Sequence, residues 1–209
     1  MIATDNSCYF AVPSLCHEQE AVEFIRTCIQ AGEIHGANGL DIYQYNYSAW
    51  LEKLNGDFHR TPNRKRVPSE TYFLVAQLPK KYRIWLGKPT QIIGIFNIRL
   101  CLNRTLRMRG GHISYMIDPH YRRQGFAQIG LFLALQVCLD RGLEAALLNC
   151  YASNIAAAHI SRKLGGKLLC EFSLPDRPDD LMQQYIVDLD RALAEVGSRY
   201  SPYIMEYAD

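Results

Sequence analysis

One segment, residues 115 to 127, limits most strongly what this chain can fold into. It reads Tyr-Met-Ile-Asp-Pro-His-Tyr-Arg-Arg-Gln-Gly-Phe-Ala, which passes from a predicted strand through a turn into a long apolar helix. Its pattern Arg122-x-x-Gly125-x-Ala127 puts small residues where a backbone can approach a ligand closely. The first N–H groups of a helix lack intrahelical acceptors and, with the helix dipole, attract anions. The segment therefore predicts a phosphate-binding turn, to which Arg122 and Arg123 add positive charge.

Length, composition and charge indicate an ordinary globular domain. The chain has 209 residues, of which 48% are hydrophobic and 21% charged. Its net charge of +2 is too small to predict binding to nucleic acid or to a membrane surface. Only the basic loop at residues 60 to 66 favours nucleic acid, and a solvated loop explains it better. We therefore expect no nucleic-acid partner.

No segment of the sequence has the features of a membrane span or a secretory signal. The longest apolar-leaning run, residues 126 to 139, is shorter than the roughly 18 to 20 residues that a bilayer span requires. The first residues lack the basic start and apolar stretch of a secretory signal. We therefore expect a cytoplasmic protein without a membrane partner.

Seven cysteines are present, without a C-x-x-C pair and without zinc-finger spacing to histidines. Cys138 and Cys150 lie in apolar segments, where a cysteine behaves as a small hydrophobic residue. We expect free structural thiols, no metal site and no cysteine nucleophile.

Hydrophobic periodicity and turn residues predict the order of the elements. Asn154 is the expected N-cap of one helix, which the pair Gly165-Gly166 ends. Helices are predicted at 18–31, 47–54, 124–141 and 155–164, and strands at 71–77, 92–100, 111–117, 144–151, 167–172 and 183–189. Consecutive strands favour antiparallel pairing, whereas the strands around helix 124–141 favour a parallel pair. The predicted fold class is α/β (α+β), with a mixed, mostly antiparallel central sheet flanked by helices.

A second informative segment covers residues 154 to 166, Asn-Ile-Ala-Ala-Ala-His-Ile-Ser-Arg-Lys-Leu-Gly-Gly. Together with the phosphate turn it resembles the two defining motifs of the GCN5-related N-acetyltransferase (GNAT) superfamily. Within that superfamily the chain is similar to a group of predicted acetyltransferases of undefined substrate, through residues 97–99, 102–103 and 110–113 and the Gly165-Gly166 end. The resemblance implies one domain over residues 1–209, a motif-bearing core at about 71–189, and N-terminal helices at 18–56 that form part of the acceptor side.

The resemblance also implies acetyl-CoA as the acyl donor, with its pyrophosphate on the turn and its pantetheine arm beside the helix headed by Asn154. The strand before the turn is expected to splay from its neighbour, which leaves backbone groups near Met116 and Ile117 free for pantetheine amides and for the thioester oxyanion. The implied donor-binding residues are Met116, Ile117, Arg122, Arg123, Gln124, Gly125, Phe126, Ala127 and Asn154.

The catalytic groups are less clearly implied. The family's proton donor is usually a tyrosine, and Ser161 stands at the matching position, with Tyr151 as an alternative donor. The strand positions where relatives often carry a base are occupied here by Ile113 and Gly111, which cannot titrate. His112 lies between them and is a candidate base, although strand alternation points its side chain away from the acceptor side unless a bulge intervenes.

Further side chains are candidates for the acceptor cleft. Glu171 is a candidate catalytic residue there, and Tyr115 and Tyr185 could line the cleft. Arg99, on an apolar strand, either serves the acceptor site or braces the fold, since a buried arginine needs a partner in both cases.

The resulting hypothesis is an N-acetyltransferase that moves acetyl from acetyl-CoA to a primary amine by direct attack in a ternary complex. Two alternatives stay open: the same fold using a longer acyl-CoA, and a non-catalytic acyl-CoA-binding regulatory module. The expected partners are acetyl-CoA and a small-molecule or peptide amine, and a homodimer is left open.

Overall fold

The computed structural model describes residues 7–33, 38–77 and 89–205. Its helices are α1 (Glu18–Gln30), α2 (Tyr47–Phe58), α3 (Arg104–Arg109), α4 (Phe126–Asp140), α5 (Ile155–Lys163) and α6 (Leu189–Tyr200). Its strands are β1 (Cys8–Ala11), β2 (Ser69–Gln77), β3 (Thr90–Arg99), β4 (Ile113–Ile117), β5 (Ala145–Tyr151), β6 (Lys167–Leu174) and β7 (Arg177–Asp188).

The strands form two sheets, ordered β1-β2-β3-β4 and β5-β7-β6, and the ladders in both are antiparallel. The predicted fold class, a mostly antiparallel sheet with flanking helices, is confirmed. The parallel pair expected around α4 forms no ladder within the described residues. Instead β4 and β5 approach each other at a single antiparallel bridge, between Gly111 and Leu148. The two strands diverge beyond this point, as the expected splay requires.

The first sheet is buried on both faces. Adjacent strand residues point to opposite faces, so Leu74 packs in one core with α4, α6 and the second sheet, while Phe73 packs in the other with α1 and α2. Phe96 belongs to the first core, and Trp50 to the second. The sheet is therefore held between two layers of helices.

Several boundaries differ from the sequence prediction for local reasons. The strand predicted at 111–117 begins only at Ile113, because the short helix α3 precedes it and Gly111 takes a left-handed φ of 65°. The helix predicted at 47–54 continues through Gly56 to Phe58. The polar loop expected around Pro175 and Pro178 is a tight hairpin, in which β6 ends at Leu174 and β7 begins at Arg177.

Three elements, β1, α3 and α6, were not predicted. The four residues of β1 are too short for periodicity to identify. In contrast, α6 has the caps and acidic first turn of an ordinary helix, with Asp188 accepting a hydrogen bond from the Arg191 N–H at 3.1 Å. None of the described helices is long and apolar enough to cross a membrane.

Candidate active site

A cavity of about 1290 Å³ occupies the space where β4 and β5 diverge. The strands are held together at its narrow end by two hydrogen bonds. The His112 N–H donates to the Leu147 carbonyl at 2.7 Å, and the Leu147 N–H donates to His112 Nδ1 at 2.8 Å. The walls are formed by both strands, the start of α4 and the first turns of α5.

The edge of β4 that faces the cavity carries unpaired backbone groups. Bonds from the Arg99 N–H to the His112 carbonyl and from the Asp118 N–H to the Ile93 carbonyl set the register with β3. This register turns the backbone groups of Met116 toward β3 and those of Tyr115 and Ile117 toward the cavity. The backbone groups that face the cavity are therefore those of Tyr115 and the N–H of Ile117, whereas Met116, which was also predicted, lines the cavity but turns its backbone toward β3.

The phosphate turn has the backbone that its sequence predicts. Gly125 is the N-cap of α4 with φ 94°, in the left-handed region, and no side chain caps this terminus. Arg123 is exposed and also left-handed, at φ 61°. Gly125, Phe126 and Ala127 line the cavity, so the first N–H groups of the helix open onto it.

Two residues of the turn that were predicted to bind the donor make contacts within the protein. Arg122 does so while lining the cavity, and Gln124 does so outside it. Arg122 Nε and Nη2 donate to the Ile117 carbonyl at 3.2 and 3.1 Å, and its guanidinium forms an ion pair with Glu33. This pair lowers the pKa of Glu33 and raises that of Arg122. Gln124 does not line the cavity, and its side-chain amide donates to the His120 carbonyl at 3.2 Å. Of the two arginines of the turn, Arg123 is therefore the one without a carboxylate partner among the described residues.

Across the cavity, Asn154 caps α5 as predicted. Its side-chain oxygen accepts a hydrogen bond from the Ala157 N–H at 3.1 Å, and both residues line the cavity. One wall of the cavity holds a helix terminus that can bind an anion, and the other holds an open strand edge and a capped helix. This arrangement suits a long ligand that carries phosphate groups.

The family model described as an acetyltransferase (GNAT) domain matches residues 46–167, more than half of the chain. The chain belongs to the GNAT acetyltransferase family. The prediction of an acetyltransferase of this superfamily is thereby confirmed. No curated protein matches the sequence significantly.

Solved structures of GNAT proteins share the fold at low sequence identity. The spermidine/spermine N-acetyltransferase SpeG from Vibrio cholerae, in complex with manganese ions, has a TM-score of 0.55 and 13% identity over 92% of this chain and 99% of its own. The microcin C7 self-immunity acetyltransferase MccE, in complex with acetyl-CoA and AMP, has a TM-score of 0.56 and 11% identity over 88% of this chain and 93% of its own. At these identities the likeness extends to the fold alone.

Three of the four proposed catalytic residues of this GNAT protein, Ser161, Glu171 and His112, are not among the residues that line the cavity. Ser161 is buried, and its hydroxyl donates to the Ala157 carbonyl at 2.9 Å. Glu171 is exposed on β6, where it accepts a hydrogen bond from Gln183 Nε2 at 2.6 Å.

Tyr151 and His112 are engaged by protein groups. Tyr151 lines the cavity, and its hydroxyl accepts a hydrogen bond from Arg177 Nη1 at 3.1 Å. Burial and the charges of Arg107 and Arg99 lower the pKa of His112 to about 4, so this histidine is neutral at pH 7. Its Nδ1 accepts the Leu147 N–H, which leaves the proton of the neutral ring on Nε2.

Tyr115 lines the cavity, although the sequence did not distinguish it from the other tyrosines that could line the cleft. Its ring stacks on Phe96 at a centroid distance of 5.0 Å. Its hydroxyl has no hydrogen-bond partner among the described residues. Burial, with a smaller effect of Cys150 on β5, raises its pKa to about 12. Tyr115 is therefore a protonated donor inside the GNAT cleft.

The described residues contain no group of His, Cys, Asp and Glu side chains that could hold a metal ion. Burial raises the thiol pKa of four of the seven cysteines, none of which forms a disulfide: Cys8, Cys28, Cys138 and Cys150. A raised thiol pKa disfavours the nucleophilic thiolate at neutral pH.

Proposed function

We propose that this GNAT acetyltransferase moves an acetyl group from acetyl-CoA to a primary amine by direct attack in a ternary complex. The observation that carries the proposal is the continuous cavity from the uncapped start of α4 to the open edge of β4. Acetyl-CoA is present in the complex of the structural neighbour MccE, and the name of SpeG assigns it a polyamine acceptor.

The donor would lie with its pyrophosphate at the start of α4. The N–H groups of Gly125, Phe126 and Ala127, together with the helix dipole, would hold the phosphates. Arg123 would supply charge from outside. The pantetheine arm would run between β4 and the α5 start at Asn154, where the backbone of Tyr115 and the N–H of Ile117 face the cavity. The Ile117 carbonyl is already engaged by Arg122.

The chemistry needs a polarised thioester carbonyl, a neutral amine and a leaving thiolate. The amine nitrogen bonds to the carbonyl carbon, the carbon–sulfur bond breaks, and the amine loses a proton. A backbone N–H at Tyr115 or Ile117 would donate to the carbonyl oxygen as negative charge develops there. Single preorganised donors of this kind are worth about 3 kcal/mol of barrier.

Proton transfer is assigned differently from the family pattern. The leaving thiol has a pKa near the ordinary value of about 8.5, so a hydrogen bond from the neutral Tyr115 hydroxyl would suffice for it. We propose that His112 ties β4 to β5 and is not the base, because its Nδ1 is already an acceptor. The acceptor amine would then lose its proton to water.

A panel of primary amines, each assayed for thiol release from acetyl-CoA, tests the proposal. We expect turnover with at least one amine and a new amide in the product. Binding of acetyl-CoA without turnover of any amine would favour the non-catalytic module, and faster turnover of a longer acyl-CoA would favour the other alternative. Failure to bind either donor would contradict the proposed site.

A further inference from the structure

Arg99 is placed at the narrow end of the cavity, near the point where β4 touches β5. It extends from the end of β3, and its Nη1 donates to the Gly111 carbonyl at 3.0 Å and to the Gly110 carbonyl at 3.4 Å. Its Nη2 donates to the Ser114 hydroxyl at 3.1 Å. These contacts fix the guanidinium on β4 and account for at most three of its five N–H groups.

No carboxylate of the described residues lies within ion-pair distance of Arg99. Two other arginines that line the same cavity do have such partners, Glu33 for Arg122 and Asp176 for Arg109. Burial lowers the pKa of Arg99 to about 10, which still leaves the guanidinium charged at neutral pH. A largely buried charge held by neutral groups alone is costly, so an anion bound from outside would stabilise this guanidinium.

Arg99 lies near the expected acceptor site and away from the expected site of the donor phosphates. Arg99 contacts Ser114, whereas Ile117 leads into the phosphate turn. Ser114 and Ile117 are three positions apart on the strand, which separates them by about 10 Å. Arg99 and Ser114 also lie on the face of the sheet that carries Met116, against α1 and α2. This is the side that the resemblance assigns to the acceptor.

The charges around the cavity oppose a polyamine acceptor. Five arginines line it, and two of them are paired with carboxylates, Arg109 with Asp176 and Arg122 with Glu33. The other three, Arg99, Arg123 and Arg162, have no carboxylate partner among the described residues. The only carboxylate among the described lining residues is Glu33, which Arg122 already engages. A positive cleft disfavours a polycation and favours an acceptor that carries negative charge.

We propose that the acceptor is a primary amine that also carries an oxyanion, a carboxylate or a phosphate, and that Arg99 binds this oxyanion through its free N–H groups. The inference rests on the proposed function and names the substrate class of the same site. Guanidinium binds both anions in a fork-like geometry, and such charge-assisted hydrogen bonds are among the strongest in proteins.

Matched acceptors separate this inference from the proposed function. Thiol release from acetyl-CoA would be followed with amino acids, with their carboxamides and decarboxylated amines, with aminoalkyl phosphates and with spermidine. We expect kcat/KM for an anionic acceptor to exceed that of its neutral counterpart by at least about tenfold, as for a hydrogen bond to a charged group. Preference for amino acids over aminoalkyl phosphates, or the reverse, identifies which oxyanion the site takes.

Substitutions at Arg99 assign the preference to this residue. In Arg99→Gln the ratio of the two kcat/KM values should fall to within about threefold of one, and Arg99→Lys should give an intermediate ratio because it keeps charge but loses the fork. Arg191→Gln, a surface control on α6 paired with Glu195, should keep the wild-type ratio. A ratio measured on one preparation does not depend on the active fraction, so partial unfolding cannot imitate the effect.

Two results would overturn the inference while leaving acetyl transfer intact. One is a preference of the wild type for spermidine or neutral amines, and the other is an unchanged ratio in both Arg99 variants. Absence of turnover with every amine, despite binding of acetyl-CoA, would instead contradict the proposed function and the inference with it.

Discussion

The left-handed backbone at Gly125 lets the start of α4 open onto the cavity without a side chain in the way. In Gly125→Val the side chain would cover these N–H groups, and we expect the affinity for CoA to fall by at least about a hundredfold, as loss of several charge-assisted hydrogen bonds requires. Calorimetry of CoA binding measures the change.

Gly142→Val is a matched control at the other end of α4. Gly142 is also left-handed, with φ 79°, and no atom lies within 4 Å of the position of an added Cβ. Both variants therefore carry similar backbone strain, about 1 to 3 kcal/mol, but only Gly125→Val should lose CoA. Unchanged CoA affinity in a folded Gly125→Val protein would contradict the donor site.

Substitutions of Tyr115 and Ser161 test which hydroxyl assists the leaving thiolate, because we expect them to lower kcat by different amounts. Because Ser161 is buried off the cavity, Ser161→Ala should lower kcat by less than about tenfold, which is under about 1.4 kcal/mol of barrier. Tyr115→Phe removes the hydroxyl that we assign to the thiolate, and kcat at pH 7 should fall by about tenfold or more. The loss should shrink above the thiol pKa of about 8.5, where the leaving group needs no donor. A larger loss in Ser161→Ala than in Tyr115→Phe would reverse the assignment.

The His112 ring accepts the Leu147 N–H only while the ring is neutral, whereas the backbone bond from the His112 N–H to the Leu147 carbonyl does not depend on this charge. The pKa of the ring is about 4 in the folded protein against about 6.5 when exposed. The unfolded state therefore binds more protons between these values, so the stabilising contribution is complete above about pH 6.5 and is lost as the pH falls toward 4.

Replacing His112 tests this at the residue scale. His112→Asn keeps an acceptor for the Leu147 N–H but does not titrate, so its stability should decline less than that of the wild type between pH 6.5 and 4. Thermal unfolding across this range measures the difference, and parallel declines of the two proteins would argue against a titrating His112. Persistence of amine acetylation by His112→Asn would agree with a positioning role.

At the scale of the element, α5 depends on the cap that Asn154 provides. Asn154→Ala should cost about 1 kcal/mol of unfolding free energy and also raise the KM for acetyl-CoA, because Asn154 lines the cavity. Denaturant unfolding and steady-state kinetics measure the two effects.

Asn46→Ala offers a matched cap deletion on α2. The Asn46 side chain accepts the Ala49 N–H at 3.2 Å, and Asn46 does not line the cavity. The stability loss should be similar, but the KM should not change. Equal kinetic behaviour of the two variants would leave Asn154 with a structural role only.

At the scale of the whole molecule, α6 connects the two sheets through its packing. It continues directly from β7 of the second sheet and packs on α4, which lies against β3 of the first. The contact is made by Tyr200, which is fully buried, stacks on Phe132 at 5.3 Å and donates its hydroxyl to Gln128 Oε1 at 3.2 Å.

Truncation of this side chain should weaken the assembly of the two sheets. Tyr200→Ala should lower the unfolding free energy by about 3 to 5 kcal/mol, as for other buried aromatic deletions, whereas Tyr200→Phe should cost only about 1 kcal/mol for the hydrogen bond. Equilibrium denaturation measures both. A loss below 1 kcal/mol in Tyr200→Ala would contradict the role given to α6.

The sequence by itself determined the features that depend on local chemistry. The turn at Gly125, the cap at Asn154, helix α4 and the strands β2, β3, β4 and β5 follow from backbone preferences, capping and hydrophobic periodicity, which act over a few residues. Because these features also carry the family motifs, the fold class and the acetyltransferase family could be predicted without coordinates.

Only the tertiary structure decided which side chains meet in the cavity. The pair between Arg122 and Glu33 joins residues 89 positions apart, and His112 finds its partner 35 positions away. Ser161 matches the family position of the proton donor, yet it lies off the cavity. Arg99 could not be assigned, because both of its predicted roles require the same burial. Contacts over such separations depend on how the sheets and helices pack, and local sequence patterns do not record that packing.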